Sequence, residues 1–224
     1  MMEARYLKYF SYLYIIVVFP GCGSNNNIPY EKINKLVQLK KDCKTKEDVF
    51  RYYKFDVHVL DLHKGDRIAD VGGYDGIWCG IYSVFTDSLY FCLEDITNAG
   101  FRRCDSILDY CGSLKGFPHT FEMIKVVGTD ASTKLPASNF DKVVCNESFH
   151  HFTKPVSMLA DIKRIMKPGA KLYIRDSLLK KNGKHQDHFH YTLEGLKSFL
   201  TENGFEIMED HSSKYMAFLV IKVK

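Results

Sequence analysis

The chain has 224 residues, 46% of them hydrophobic, enough to bury one substantial core, so one α/β-sized domain plus a tail is the expected organisation. Its 31 basic and 27 acidic residues are well mixed, without a basic block or an aromatic–basic stripe, which disfavours nucleic acid as the main partner. The seven cysteines contain no C-x-x-C pair, which argues against a zinc ribbon or a thioredoxin-like site.

At the N-terminus, Arg5 and Lys8 precede an uncharged, mostly apolar run from Tyr9 to Phe19. That run is well short of the ~20 residues a spanning helix needs, but it suits the apolar segment of a signal peptide. It ends at Phe19-Pro20-Gly21-Cys22, followed by Gly23-Ser24-Asn25-Asn26-Asn27. A small residue before a cysteine, then a polar tether, resembles the lipobox of bacterial lipoproteins, although Phe19, Pro20 and Glu3 depart from the usual pattern. The expectation is a signal peptide over residues 1–21, a lipid on Cys22, a polar linker over 22–29 and a domain over 30–224. The protein would then be exported and anchored in the membrane, on its periplasmic or surface face. A plain cleaved signal, a membrane-associated N-terminal helix and a mistaken start codon stay open, the last placing the protein in the cytoplasm.

Two short helices are predicted between Tyr30 and Leu60, carrying Ile33, Leu36, Val37 and Leu39, then Val49, Tyr52 and Tyr53. Arg67–Val71 has the short apolar run of a buried parallel strand. It enters the turn Gly72-Gly73-Tyr74-Asp75-Gly76, after which Ile77, Ile81, Val84 and Phe85 fall at helical spacing. Glycines free the backbone for a tight turn, and the N–H groups at a helix start suit a polar ligand. Leu89–Leu93 is the second strand, closed by the acidic pair Glu94-Asp95. Phe101, Cys104, Leu108 and Cys111 form the apolar face of the next helix. Thr120–Val127 and Phe140–Cys145 are the third and fourth strands.

Pro155 starts a helix that carries Met158, Leu159, Ile162, Ile165 and Met166 and stops at Lys167-Pro168-Gly169. Lys171–Arg175 is the fifth strand, and residues 177–191 are a polar, His-rich loop. Thr192 is the expected N-cap of a helix with Leu193, Leu196, Phe199 and Leu200, closed by Asn203-Gly204. Phe205–Met208 and Tyr215–Val223 complete the chain as a strand pair. The pattern predicts an α/β fold: a Rossmann-like, mostly parallel seven-stranded sheet with helices on both faces and a C-terminal antiparallel hairpin.

Four landmarks in this order resemble a class I S-adenosylmethionine-dependent methyltransferase over residues 50–222. They are the Asp70–Gly76 turn; Glu94-Asp95; Gly128-Thr129-Asp130 with Leu135-Pro136 and Phe140-Asp141; and His150-His151-Phe152 with Lys167-Pro168-Gly169. Within that superfamily the chain is similar to a bacterial group that often carries signal sequences. The resemblance implies S-adenosylmethionine as cofactor. Its methionine end would lie against Asp70, Gly72, Gly73, Tyr74 and Gly76, its ribose against Asp95 or the neighbouring Glu94, and its adenine near Thr129 and Asp130, with Asn146 under the methionine end. Tyr74 stands where the family usually has its middle glycine, so its side chain is expected either to obstruct the cofactor or to force another path for the loop.

Methyl transfer from a sulfonium is a displacement that proximity and orientation largely drive, and no metal is required. A base is needed only when the acceptor must lose a proton. His150 and His151 are the candidates, against the alternative that one packs structurally and the other caps or faces solvent. The lesser alternative for Glu94-Asp95 is a solvated strand end, and His185-x-x-His188-x-His190 is read as a substrate lid ahead of a metal site. Trp78 is expected in helix packing, and the cysteines other than Cys22 as small hydrophobes, Cys92 and Cys145 among them. The leading expectation is methyl transfer to an unknown small or medium acceptor. The rival, motivated by Tyr74 and by export away from a cytoplasmic cofactor, is a binding protein that keeps the fold without catalysis. A nicotinamide dehydrogenase comes third, because G-x-G-x-x-G is absent.

Overall fold

The computed structural model describes residues 35–116, 121–178 and 191–224. The expected signal, the lipid-bearing Cys22, the polar linker and the histidines of residues 185–190 lie outside the described residues. Five strands, β1 (Arg67–Val71), β2 (Leu89–Asp95), β3 (Phe121–Val127), β4 (Phe140–Asn146) and β5 (Met166–Ser177), run parallel, and β6 (Phe205–Asp210) and β7 (Met216–Val223) close the sheet antiparallel. The order is β3-β2-β1-β4-β5-β7-β6. The chain steps outward from β1 to β3 and then returns to lay β4 on the other side of β1. That reversal makes the carboxyl ends of β1 and β4 the topological switch point of the sheet, the place where open α/β sheets bind their ligands.

Six helices cover the sheet among the described residues: α1 (Lys35–Asp42), α2 (Lys46–Leu60), α3 (Ile77–Phe85), α4 (Phe101–Lys115), α5 (Pro155–Ile165) and α6 (Leu193–Glu202). Period-2 alternation along the strands splits the core in two. Ile68 packs with α1–α4 residues such as Leu39, Trp78, Tyr82 and Ile107, whereas Ala69 and Val71 pack with Ile162 and Leu200 of α5 and α6. Local signals match these positions. Thr45 and Asp48 form a reciprocal capping box at the start of α2, and the Thr192 hydroxyl accepts the Gly195 N–H at the start of α6. No helix among the described residues is long and apolar enough to cross a membrane.

Three details differ from the pattern reading. The buried face of α4 is Cys104, Ile107 and Cys111, with Leu108 only half-buried, because the helix turns its inward stripe by about one position. The fifth strand begins at Met166, directly after α5, and runs through Lys167-Pro168-Gly169. Met166 pairs with Phe140 before a register shift hands the ladder to Lys142 and Lys171, so the tertiary pairing overrides the local stop signal. Glu94 and Asp95 belong to β2 itself, paired with Val126 and Val127, so they are not a loose strand end.

The structure also gives two landmarks a mechanical explanation. Asp141 accepts hydrogen bonds from Lys167 Nζ at 2.8 and 2.9 Å and from the Arg67 N–H at 3.0 Å. These bonds tie the amino ends of β1, β4 and β5 together, at the opposite end of the sheet from the switch point. The Phe-Asp and Lys-Pro-Gly landmarks therefore report the fold and take no part in the site.

Candidate functional site

The turn after β1 is built around φ values that few side chains tolerate. Gly72 and Gly76 both sit at φ 71°, and a Cβ on Gly72 would come within 2.6 Å of Ser148 Cβ. Ser148, in the link that follows β4, donates its hydroxyl to the Val71 carbonyl at 2.7 Å. A Cβ on Gly73 would meet Leu93 and Asp70 at 2.5 and 2.6 Å. The Gly73 N–H donates to the Glu94 carbonyl at 3.0 Å, and the Gly76 N–H back to Gly73 at 2.9 Å. The turn is thus clamped between β2 and the segment following β4.

Tyr74 also takes a left-handed conformation, φ 49°, the region its glycine counterpart would favour. Its ring leans onto the start of α4. It stacks under the Arg103 guanidinium at 5.7 Å, its hydroxyl accepts from Arg103 at 3.4 Å, and its Cδ2 lies 2.8 Å from where a Gly100 Cβ would be. The backbone therefore keeps the glycine-type path, and the ring is parked on a neighbouring helix. Tyr74→Gly is expected to preserve the turn, relieve about 1 kcal/mol of left-handed strain and bind S-adenosylmethionine at least as tightly as wild type. A lower affinity in titration calorimetry would instead make the ring a ligand contact.

Three buried carboxyl groups converge on this turn. Glu94, 1% exposed, accepts the Gly72 N–H at 3.4 Å through Oε2, while Oε1 has no partner and aims at Gly128, where a Cβ would lie only 1.9 Å away. Asp70 accepts the Cys79 thiol at 3.3 Å through Oδ2 and leaves Oδ1 unpartnered, and Asp75 forms no well-made hydrogen bond through either oxygen. Burial pushes Asp70 up to about 7 and Glu94 up to about 8, and it raises Asp75 as well. Asp95 is less enclosed. It accepts the Tyr74 N–H at 3.2 Å and the Thr97 N–H at 3.0 Å, and burial lifts it too.

The loop after β3 forms the next wall. The Thr129 hydroxyl accepts the N–H groups of Ala131 and Ser132, so this side chain organises the loop, and Asp130 pairs with Lys154 at 2.8 Å near the surface. The loop is anchored from below by Asp161 of α5. Its carboxylate accepts the Thr133 N–H at 2.8 Å, the Thr133 hydroxyl at 2.6 Å and the Ser132 hydroxyl at 3.1 Å, and it pairs with Arg164 at 2.8 Å. Against the upward pull of burial, the Thr133 and Arg164 hydrogen bonds hold Asp161 below the usual carboxylate range. Asp161→Ala strands the buried Thr133 donors and is expected to cost about 2–4 kcal/mol of stability near neutral pH. Because the folded-state pKa is depressed, this contribution is present above the unfolded pKa and lost as the pH falls through the folded one. Urea unfolding followed from pH 7 downward should show the gap between wild type and variant narrow as the folded-state carboxylate protonates.

Asn146, expected under the methionine end, donates its amide to the Tyr82 hydroxyl at 2.8 Å inside the core. His150 and His151 occupy a 3-10 turn, Phe149–His151, with ring centroids 3.9 Å apart. The His150 N–H donates to Asp176 Oδ2, and its ring Nδ1 lies 2.5 Å from Asp176 Oδ1. Trp78 is buried in helix packing, edge-on to Tyr53, and Cys92 and Cys145 are buried free thiols. Pattern reading missed Ser148, Tyr82 and Asp176. Each acts through a partner distant in sequence, and only Asp176, an acid at the end of an apolar strand, carried a local signal.

The residues present suit a cationic, hydroxyl-bearing cofactor. Buried carboxyl oxygens without partners call for donors, and the ammonium and ribose hydroxyls of S-adenosylmethionine are donors. The family model described as a methyltransferase domain matches residues 100–174, a third of the chain. No curated protein sequence matches. Among solved structures, a SAM-dependent methyltransferase from Aquifex aeolicus is similar with a TM-score of 0.61 at 19% identity, covering 86% of this chain and 100% of that one. A putative methyltransferase from Haloferax volcanii, solved in complex with the Trm112 methyltransferase activator, gives a TM-score of 0.63 at 13% identity, covering 84% and 92%. A SAM-dependent methyltransferase from Methanosarcina mazei gives 0.55 at 18%, covering 75% and 96%. The fold is that of these proteins, and residues 100–174 match a methyltransferase domain.

Proposed function

We propose that this chain transfers a methyl group from S-adenosylmethionine to an acceptor at the carboxyl ends of β1 and β4. The observation that carries the reading is the set of unpartnered buried carboxyl oxygens on Asp70, Asp75 and Glu94 around a glycine turn at the point where strand order reverses. When bound, S-adenosylmethionine supplies an activated methyl group on a sulfonium, so no metal and no covalent enzyme intermediate is required. The protein's part is to bind and orient.

Glu94 and Asp95 are assigned to the ribose hydroxyls. Asp70, Asp75 and the N–H groups of the glycine turn are assigned to the methionine end, and the loop Gly128–Asp130 to the adenine. Buried carboxyls favour a ligand that brings positive charge and donors, which fits this cofactor better than an anionic dinucleotide. The domain match and the structural neighbours do not favour the non-catalytic alternative. A lipid tether on Cys22 and an exported location are part of the same proposal and rest on the N-terminal sequence alone. Titration calorimetry of the full chain with S-adenosylmethionine and with NAD tests the cofactor assignment. One-to-one binding of the first without the second is expected, and the reverse selectivity would overturn it.

A further inference from the structure

Helix α2 is apolar on both of its faces. Val49, Val57 and Leu60 are buried in the core, yet Tyr52 and Phe55 on the outward side are 55% and 53% exposed. A surface helix ordinarily keeps its outer face polar. Arg51, Lys54 and His58 are exposed among these rings at i, i+3 and i+7, so a basic stripe runs beside them. The Arg51 guanidinium lies over the Tyr52 ring at 5.3 Å. Phe55 meets His211 edge-on at 5.7 Å and Phe218 at 6.2 Å, which extends the face toward the turn between β6 and β7. Helix α2 thus supplies the aromatic–basic stripe that pattern reading of the sequence did not find.

The charge around these rings is mainly positive. Of the three acids in α2, Asp48 is held in the capping box and paired with Arg51, and Asp56 pairs with Arg175 at 2.8 Å. That leaves Glu47, and Asp42 at the end of α1, against the exposed Lys40, Lys41, Lys44 and Lys54. Aromatic rings beside long cationic side chains suit the interfacial zone of a bilayer, where rings sit at headgroup level and the cations reach the phosphates. Nucleic acid is the poorer fit, because Arg51 already covers one face of Tyr52 that base stacking would use. An uncharged protein surface would leave the lysines without a partner. The chain also leads here: α1 begins thirteen residues after Cys22, at most ~45 Å of extended chain. The lipid tether proposed above would hold this face within reach of a membrane.

We propose that the outward face of α2 docks on an anionic lipid surface, with Tyr52 and Phe55 entering the headgroup zone and Arg51 and Lys54 bound to lipid phosphates. Docking is independent of the methyl-transfer reading and needs no cofactor. It is reversible and salt-sensitive, since its charged part is screened by ions.

The apolar run Tyr9–Phe19 can by itself carry the full chain to vesicles, so the test reads contact at single positions. Tyr52→Trp reports on the docking face, and the native Trp78 is buried. Ile124→Trp is the control: Ile124 is 59% exposed on β3, and its neighbour Met123 packs with the α1–α4 core, so Ile124 faces the other side of the sheet. Vesicles of phosphatidylcholine and phosphatidylglycerol with brominated acyl chains are expected to quench Tyr52→Trp beyond wild type and to leave Ile124→Trp at the wild-type level. Adding Arg51→Gln and Lys54→Gln should weaken that partitioning by roughly 10- to 30-fold, the effect of two cations at an anionic surface, and molar salt should act likewise. Lys54→Gln alone, which breaks no ion pair among the described residues, should weaken it about 5-fold. Melting temperatures confirm that each variant folds. No excess quenching in Tyr52→Trp, equal quenching in the two tryptophan variants, equal quenching without phosphatidylglycerol, or no loss on removing the cations would each overturn the proposal. Binding of this face to RNA or to a second copy of the chain, with vesicles ignored, would overturn it as well.

Discussion

Replacing Glu94 and Asp95 together by Ala is expected to weaken S-adenosylmethionine binding by roughly 10- to 100-fold, the loss that follows from removing ribose hydrogen bonds worth about 1–3 kcal/mol in all. The two acids act differently. Glu94 is enclosed, with Oε1 unpartnered and aimed at Gly128, so a ligand hydroxyl entering there gains a bond that water does not already supply. Asp95 accepts the N–H groups of Tyr74 and Thr97, so its removal also loosens the glycine turn. Glu94→Gln keeps the shape and imitates the protonated acid, and it separates charge from packing. Calorimetry on the two variants, with melting temperatures to confirm folding, measures the effect. Unchanged affinity in the double variant would remove both acids from the site.

Cofactor binding is also expected to release protons near neutral pH. In the unliganded protein, burial holds Asp70 near 7 and Glu94 near 8, so both are substantially protonated at pH 7. Donors on the ligand favour the ionised forms and lower both pKa values, so affinity should rise from pH 6 to pH 8. For the unliganded fold the sign is opposite. The folded state binds more protons than the unfolded one between the ordinary carboxylate range and about 8, so these groups make stability fall as the pH rises across that window. Binding enthalpies measured at pH 7 in phosphate and in Tris should differ by the buffers' ionisation enthalpies, and Glu94→Gln should shrink the difference. Identical enthalpies in the two buffers would mean that the ligand leaves these carboxyls untouched.

Much of the scaffold was legible because it is written in local patterns. The apolar run Arg67–Val71, the helical spacing from Ile77 and the cap at Thr192 each state an element that tertiary packing then leaves in place. The early start of β5 was not legible. Lys167-Pro168-Gly169 is a stop signal in any local reading, and only the pairing of Met166 with Phe140 makes it strand. At the site, the glycines and the Glu94-Asp95 pair announce themselves by type and spacing. For Tyr74 the expectation of obstruction or of another loop path rests on residue type alone, because sequence carries no side-chain direction; the loop keeps the glycine-like φ there, and the ring rests on Gly100 and Arg103. Asp176 and Ser148 escaped because their meaning lies in contacts with His150 and Val71, 26 and 77 positions away. Asp141 and Lys167 teach the converse. These parts of the third and fourth landmarks fasten strand ends at the opposite end of the sheet from the glycine turn.

On the proposed function, the carboxyl ends of β1, β2 and β4 hold S-adenosylmethionine through their buried carboxyls. A crystal structure of the full chain with S-adenosylhomocysteine tests it most directly. Ribose hydroxyls are expected within hydrogen-bond distance of Glu94 or Asp95, the amino-acid end against Gly72–Gly76 with its ammonium facing Asp70 or Asp75, and adenine beside Gly128–Asp130. A ligand bound elsewhere, or a switch point that stays empty at saturating ligand while these carboxyls keep their unpartnered oxygens, would contradict it.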